Sequence, residues 1–259
     1  MLEAAAVAEP AFSPVVVIPV YDHEHAIGAV VQGVLTAGLP CLLVDDGSHD
    51  SCAQALRALA TQYPGKVALH RLEVNQGKGG AMLAGFAQAT QRGYSHVLQI
   101  DADGQHDTGD LATFVALAQA HPQAVICGIP AYDASVPKAR LYGRYATHIW
   151  VWINTLSLQI RDSMCGFRVY PLSPVNRLVA EETIGRRMDF DTEILVRLFW
   201  RGVQVISQPT RVTYPSDGVS HFDVWRDNVR ISCMHTRLFF GMLPRAPRLL
   251  WHRLAGRPA

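Results

Sequence analysis

PVVVIPV, residues Pro14–Val20, carries no polar side chain at any position. A run that short and apolar throughout predicts a strand covered on both faces, as in parallel sheets sandwiched between helices. The chain downstream keeps to that reading. His25–Ala37 predicts a helix, Cys41–Val44 a strand, Ser51–Tyr63 a helix ended near Pro64-Gly65, and Val67–Leu72 a strand. A helix from Gly79 to Arg92, the strand His96–Ile100, a helix from Asp110 to His121 and the strand Val125–Ile129 continue the alternation. Beyond Pro130 the rhythm loosens into a long helix (Arg140–Leu158), a short strand (Phe167–Tyr170), a helix (Asp191–Arg201) and a strand pair near Val203–Tyr214. The expected class is α/β: a mostly parallel central sheet with helices on both faces, and ligands outside the carboxyl ends of the strands.

The 259 residues, 49% of them hydrophobic, suffice for one large core and exclude a chain disordered throughout. With 23 Lys+Arg against 22 Asp+Glu, the net charge of +1 argues against a dedicated nucleic-acid binder. The balance hides a split. From Arg226 onward there are seven arginines and one acid, Asp227, so a +6 tail follows a body of −5. Five scattered cysteines (Cys41, Cys52, Cys127, Cys165, Cys233) form no C-x-x-C pair, which points to a reducing cytosol rather than a disulfide framework or zinc knuckle. MLEAAAVAEPAFS (1–13) lacks a basic start and reads as a flexible leader, not a signal peptide. The longest nearly uncharged stretch, Tyr145–Ile160, reaches only about 24 Å as a helix against a bilayer core of about 30 Å.

Chemistry gathers at the predicted carboxyl ends. The first strand runs into Pro19-Val20-Tyr21-Asp22-His23-Glu24 with no G-x-G-x-x-G, which removes a dinucleotide turn and hydride transfer. Asp45-Asp46-Gly47 ends the second strand. These acids suit a ribose diol or a base N–H, or else form a turn before a helix capped by Asp50. Asn75-Gln76-Gly77-Lys78-Gly79-Gly80 opens a helix where backbone N–H groups could admit a diphosphate, or is simply a flexible turn. The sharpest signal is Gln99-Ile100-Asp101-Ala102-Asp103-Gly104-Gln105-His106. On an extended segment Asp101 and Asp103 point the same way, presenting hard oxygens to one Mg2+ or Mn2+, unless the acids merely solvate a turn.

The ordered set IPVYDHE, VDDGS, NQGKGGAMLAGF, QIDADGQH, DSMCGFRVYP and DFDTEILVRLFWRG, spanning roughly 14–221, resembles a family 2 glycosyltransferase of GT-A fold. It is most similar to the branch of dolichyl- and polyprenyl-phosphate sugar synthases. The resemblance implies a nucleotide-sugar half (14–130), an acceptor half (131–221) and a basic helical tail (222–259). It implies that Pro19, Tyr21, Glu24, Asp45, Asp46 and Asp101 hold the nucleotide sugar, that Lys78 approaches its diphosphate, and that Asp101 and Asp103 bind Mg2+ or Mn2+. Arg168 would face an acceptor phosphate. Where many relatives place Lys after Gly-x-Ser, this chain has Gly218-Val219-Ser220-His221, so Ser220 and His221 would meet phosphate instead.

Asp191 stands eleven residues before Gly202, a spacing that resembles the base-bearing helix start of processive relatives. It would take a proton from a hydroxyl acceptor, or else act as an N-cap with Glu193 in the first turn. The function so implied is metal-dependent, inverting sugar transfer from a UDP or GDP type donor to a lipid-linked or lipophilic acceptor. Two alternatives stay open: a phosphatase of D-x-D-G type and a non-catalytic membrane adaptor.

In Phe222–Leu243, Arg226, Arg230 and Arg237 fall within an arc of about 40°, opposite Val224, Ile231, Leu238 and Met242. Arg245, Arg248, Arg253 and Arg257 follow among Leu249, Leu250, Trp251 and Leu254, a pattern suited to an anionic membrane surface or to a solvated helix. The expected location is cytoplasmic, peripheral on the inner face of a membrane. RDNVRIS and MHTRLFFGML also resemble the tail of glycosyltransferases from bacterial aryl-polyene pigment clusters.

Overall fold

A computed structural model of the chain describes residues 11–132, 138–213 and 223–254. Its centre is β1 (Pro14–Val20). Val15 and Val17 point into one apolar cluster, while Val16, Ile18 and Val20 point into another on the opposite face. β1 therefore carries apolar side chains at every position because both of its faces are interior.

Parallel neighbours flank it: β2 (Cys41–Asp45) on one side, with β3 (Val67–Arg71) beyond, and β4 (His96–Gln99) on the other. Next come β6 (Arg168–Pro171), β5 (Val125–Tyr132) and the edge strand β7 (Val205–Val212), giving the order β3-β2-β1-β4-β6-β5-β7. Among the described residues β6 alone runs antiparallel, between β4 and β5. The strand order reverses direction between β1 and β4, so a crevice opens there at the carboxyl ends.

On one face lie α1 (Glu24–Thr36), α2 (Asp50–Gln62) and α4 (Leu111–Ala120). The other carries α3 (Lys78–Gln91), α5 (Lys138–Thr155), α6 (Leu172–Glu181), α7 (Phe190–Trp200) and α8 (Val224–Met242); a single 3-10 turn then leads into α9 (Ala246–Leu254). Gly85 lets α3 lie close to the sheet, since a methyl group there would press into Val17.

The expected strand pair near 203–214 is one strand, β7, paired in parallel with β5 along its whole length. Pro209 sits within the strand without ending it, because an edge strand can leave one side of its backbone unpaired. α6 escaped the sequence reading. It starts directly from Pro171 with no linker, and Leu172, Val175 and Leu178 form its buried stripe.

The tail also differs from expectation. Leu238 and Met242 of the expected apolar face are buried against the body, but Val224 is 72% exposed, and Asp227, Met234 and His235 are buried beside them. Each arginine of the expected basic stripe has a carboxylate beside it: Arg226 with Asp223 at 3.8 Å, Arg230 with Asp227 at 2.9 Å, and Arg237 with Glu193 at 3.0 Å. The stripe is locally neutralised.

Candidate active site

Four carboxyl-end features meet at the crevice. Tyr21 follows β1, Asp45 and Asp46 close β2, and Asp101 follows β4. Lys78 comes in on the first turn of α3, and Asp191 on the first turn of α7.

Lys78 Nζ lies 2.8 Å from Asp101 Oδ1 and 2.8 Å from Asp191 Oδ2. Burial opposes the lysine's charge, but the two carboxylates outweigh it and push its pKa above the ordinary lysine value. Burial likewise works against the Asp101 charge, yet Lys78 and then His106 hold its carboxyl below the usual range. His106 Nε2 stands 3.6 Å from the other Asp101 oxygen. Asp191 turns its second oxygen to Gln99 Nε2, at 3.0 Å, so its carboxylate faces the crevice rather than capping α7. Asp103 is different. Burial first, and the Asp101 charge second, push its carboxyl up, and its one protein hydrogen bond among the described residues comes from the Gln105 N–H at 3.0 Å.

The glycine-rich loop also packs against other parts of the chain. Asp46 accepts from the Gln76 and Gly77 N–H groups at 2.7 and 2.8 Å, and the Gly80 N–H donates to the Arg186 carbonyl at 2.9 Å. Methyl groups at Gly77 or Gly79 would overlap Arg186, Arg187 and Phe190. These glycines admit the chain before α7, which brings Lys78 and Asp191 together. Gly77 also needs its freedom directly, with φ at 87°.

Asp45 is equally committed, pairing with Arg71 and accepting the Ser48 N–H at 2.9 Å. The paired acids thus build the floor of the crevice. Pro19, Tyr21 and Glu24 remain half-buried at its edge, Glu24 accepting from the Ser51 hydroxyl at 3.0 Å. Asp22 takes a left-handed φ of 51° and ties this edge to the loop after β2 by accepting the His49 N–H at 2.8 Å.

Arg168, expected at an acceptor, is 0% exposed. Its guanidinium donates to the Asp191 carbonyl and, at 3.2 Å, to the Tyr170 hydroxyl, so it supports the first turn of α7 from beneath. The segment before it reaches the site another way. A methyl group at Gly166 would overlap the Asp101 carboxylate. Asp162 accepts the Met164 and Cys165 N–H groups, each at 2.8 Å, and pairs with Arg144 at 2.6 Å, with His148 3.6 Å away. Burial pushes the Cys165 thiol up, which disfavours a thiolate. Ser220 and His221 lie outside the described residues. Sequence reasoning missed Gln99, although a glutamine at the end of an apolar strand is itself a signal.

The sequence model described as glycosyl transferase family 2 matches residues 15–183. The chain belongs to that family. Polyprenol monophosphomannose synthase of Mycolicibacterium smegmatis is 26% identical over 231 residues, covering 84% of each chain. Undecaprenyl-phosphate mannosyltransferase of Micrococcus luteus is 25% identical over 200 residues, covering 74% of this chain and 80% of the relative. Among solved structures, glucosyl-3-phosphoglycerate synthase of Mycobacterium tuberculosis, in complex with Mn2+ and UDP-glucose, superposes with a TM-score of 0.65 at 16% identity, covering 91% of this chain and 79% of the other. The fold is GT-A and the protein is a glycosyltransferase, similar to relatives named as polyprenyl-phosphate sugar synthases. The phosphatase and adaptor alternatives fall with that membership.

The residues of this glycosyltransferase fit a divalent ion in part. Asp101 and Asp103 offer hard oxygens, and a cation would relieve the repulsion that raises the Asp103 carboxyl. Two carboxylates do not fill a six-oxygen shell, and among the described residues no three His, Cys, Asp or Glu side chains converge. Donor phosphates and water would supply the rest.

Proposed function

We propose that the protein transfers a sugar, with inversion at the anomeric carbon, from a UDP or GDP type donor to a polyprenyl-phosphate-like acceptor. One observation carries the reading: a half-buried lysine shared by two carboxylates at the switch point of the sheet. The nucleoside would lie over Pro19, Tyr21 and Glu24, on the floor made by Asp45 and Asp46. Lys78 would exchange Asp101 for the donor diphosphate while Asp191 keeps hold of it. Asp101 and Asp103 would hold Mg2+ or Mn2+, which offsets charge on the departing diphosphate.

An acceptor phosphate oxygen attacks the anomeric carbon from the face opposite the diphosphate. The new C–O bond forms as the old one breaks, and the electron pair leaves with the nucleoside diphosphate. A phosphate with a second pKa of about 6 arrives largely deprotonated, so Asp191 would orient Lys78 rather than remove a proton; a hydroxyl acceptor would use it as base. Arg168 would hold the Asp191 turn. Ser220 and His221 are proposed at the acceptor phosphate.

A lipid acceptor calls for an apolar face. Trp225 (79% exposed), Phe240 and Trp251 of α8 and α9, with Ile149 and Trp150 of α5, offer apolar surface beside the tail arginines. Among the described residues no helix is long and apolar enough to cross a membrane. Attachment to the cytoplasmic face is proposed to be peripheral.

The test incubates purified protein with UDP- and GDP-sugars, Mg2+ or Mn2+, and undecaprenyl phosphate in detergent. Lipid-dependent release of nucleoside diphosphate, lost in Asp103→Ala, is the expected result. No release from any donor with either metal, with or without the lipid, overturns the proposal.

A further inference from the structure

A cavity of about 390 Å3 lies at the opposite end of α7 from the carboxylates. Trp200 lies nine helical steps from Asp191, about 14 Å. Five arginines from three elements line it: Arg177 of α6, Arg197 and Arg201 at the end of α7, and Arg245 and Arg248 around the start of α9.

Among the described residues, three carboxylates pair with the two arginines at the end of α7. Arg197 pairs with Glu182 and with Glu193, and Arg201 pairs with Glu181 and Glu182, at 2.8 and 2.7 Å. On the other wall, Arg245 donates to the Gly241 carbonyl at 2.7 Å and stacks over the Trp200 ring at 4.9 Å. Arg177 makes no ion pair among the described residues, and it and Arg248 are exposed at the cavity. The negative end of the α7 dipole accounts for Arg201, but not for guanidinium groups brought from α6 and α9.

We propose that this cavity binds a phosphate group, with Arg177 and Arg248 closing on its oxygens and Arg245 held ready by Trp200. Guanidinium forks match phosphate geometry and hold their charge at every working pH. The site stands independently of the sugar-transfer reading. Its phosphate can come from a lipid headgroup or from a free phosphate ester. Trp251, one helical turn beyond Arg248 and 68% exposed, would set a lipid headgroup at the mouth.

The experiment uses the full chain as wild type, Arg177→Gln, Arg177→Gln/Arg248→Gln, and Lys78→Met as a control for phosphate held at the active site. Inorganic phosphate and glycerol 1-phosphate are titrated by calorimetry. Vesicles of phosphatidylcholine with and without phosphatidylglycerol are used in flotation. The proposal expects binding that Lys78→Met keeps, that Arg177→Gln weakens, and that the double variant weakens about tenfold or more. Binding of the soluble probes identifies a free phosphate ester. Binding only to phosphatidylglycerol vesicles identifies a headgroup. Wild-type protein that binds neither probe, or arginine variants that bind as tightly as wild type, overturns it.

Discussion

Asp101 and Asp191 share a single ammonium, that of Lys78, although one carboxylate follows β4 in the first half of the chain and the other opens α7 in the second. The ion pairs join three elements and span the crevice where the strand order reverses. The proposed donor diphosphate would meet there a half-buried lysine already charged and aimed.

Lys78→Met keeps the stem and removes the ammonium. Transfer activity should fall about 10²- to 10³-fold, the range for loss of one preorganised charge donor. The stability difference between wild type and variant should also depend on pH. Burial raises the Asp101 carboxyl, but Lys78 and His106 more than offset this and hold it low. The pair therefore stabilises the fold fully above the unfolded carboxylate value, about 3.9, and loses that contribution as pH falls through the lower folded value. Lys78 is shifted up, so its share is whole below about 10.4 and is lost as pH rises beyond it. Urea denaturation should show the widest gap between about pH 4 and 10. A gap that is flat across acid pH would sink the ion-pair account.

Asp103 predicts the opposite sign. Burial and the neighbouring Asp101 charge raise its carboxyl, so the folded chain binds that proton more tightly than the unfolded one. Stability from this group is present at low pH and is lost as pH rises through the raised value. Asp103→Asn should therefore raise Tm at neutral pH without added metal, while cutting metal-dependent activity by about 10² or more. A lower Tm would show that the carboxylate is paired in a way the geometry does not contain.

The alternating elements were legible because β1 and β2 are buried on both faces, which leaves an apolar residue at every position of β1 and at every position of β2 before Asp45. The direction of β6 was not legible, since Arg168–Pro171 reads the same parallel or antiparallel and only its place between β4 and β5 decides. The site was half visible. Asp101, Lys78 and Asp191 each announced themselves at a carboxyl end or a helix start, but their meeting depends on contacts far apart in sequence. Glycine at a helix start signals close approach without saying of what. Here one approaching group is the Arg186–Phe190 segment. Arg168 shows the same limit: a guanidinium beside a strand reads equally as a ligand or as a brace until its burial is known.

Gly166 sits against the Asp101 carboxylate, leaving no room for a methyl group. Gly166→Ala should displace that carboxylate from Lys78 and cost roughly 10- to 100-fold in kcat, as sub-ångström misplacement of reacting groups does. Tm should fall by no more than it does in Lys78→Met, which breaks the same ion pair, because the displaced atoms are the far end of one side chain. Paired measurements of kcat and Tm test this. A large drop in Tm with kcat per folded molecule unchanged would mean that Gly166 serves the backbone and not Asp101.

Glu193 is 0% exposed and joins three partners: the Gly185 N–H at 2.8 Å, Arg197 at 2.7 Å and Arg237 of α8 at 3.0 Å. Removing one partner of a buried pair leaves the others uncompensated, typically at 3–5 kcal/mol. Arg237 is half in water, which places Glu193→Ala near the lower end, about 3 kcal/mol, or ~6–12 °C in Tm. Because Arg237 is the charged tie from α7 to α8, hydrogen exchange should speed up in Val224–Met242 before it does in the central strands. Glu193→Gln keeps the shape and an acceptor for the Gly185 N–H, so it should lose less than the alanine variant. Equal losses in the two variants would assign the stabilisation to charge alone, and wild-type exchange in α8 would remove Glu193 as the tie that holds the tail to the body.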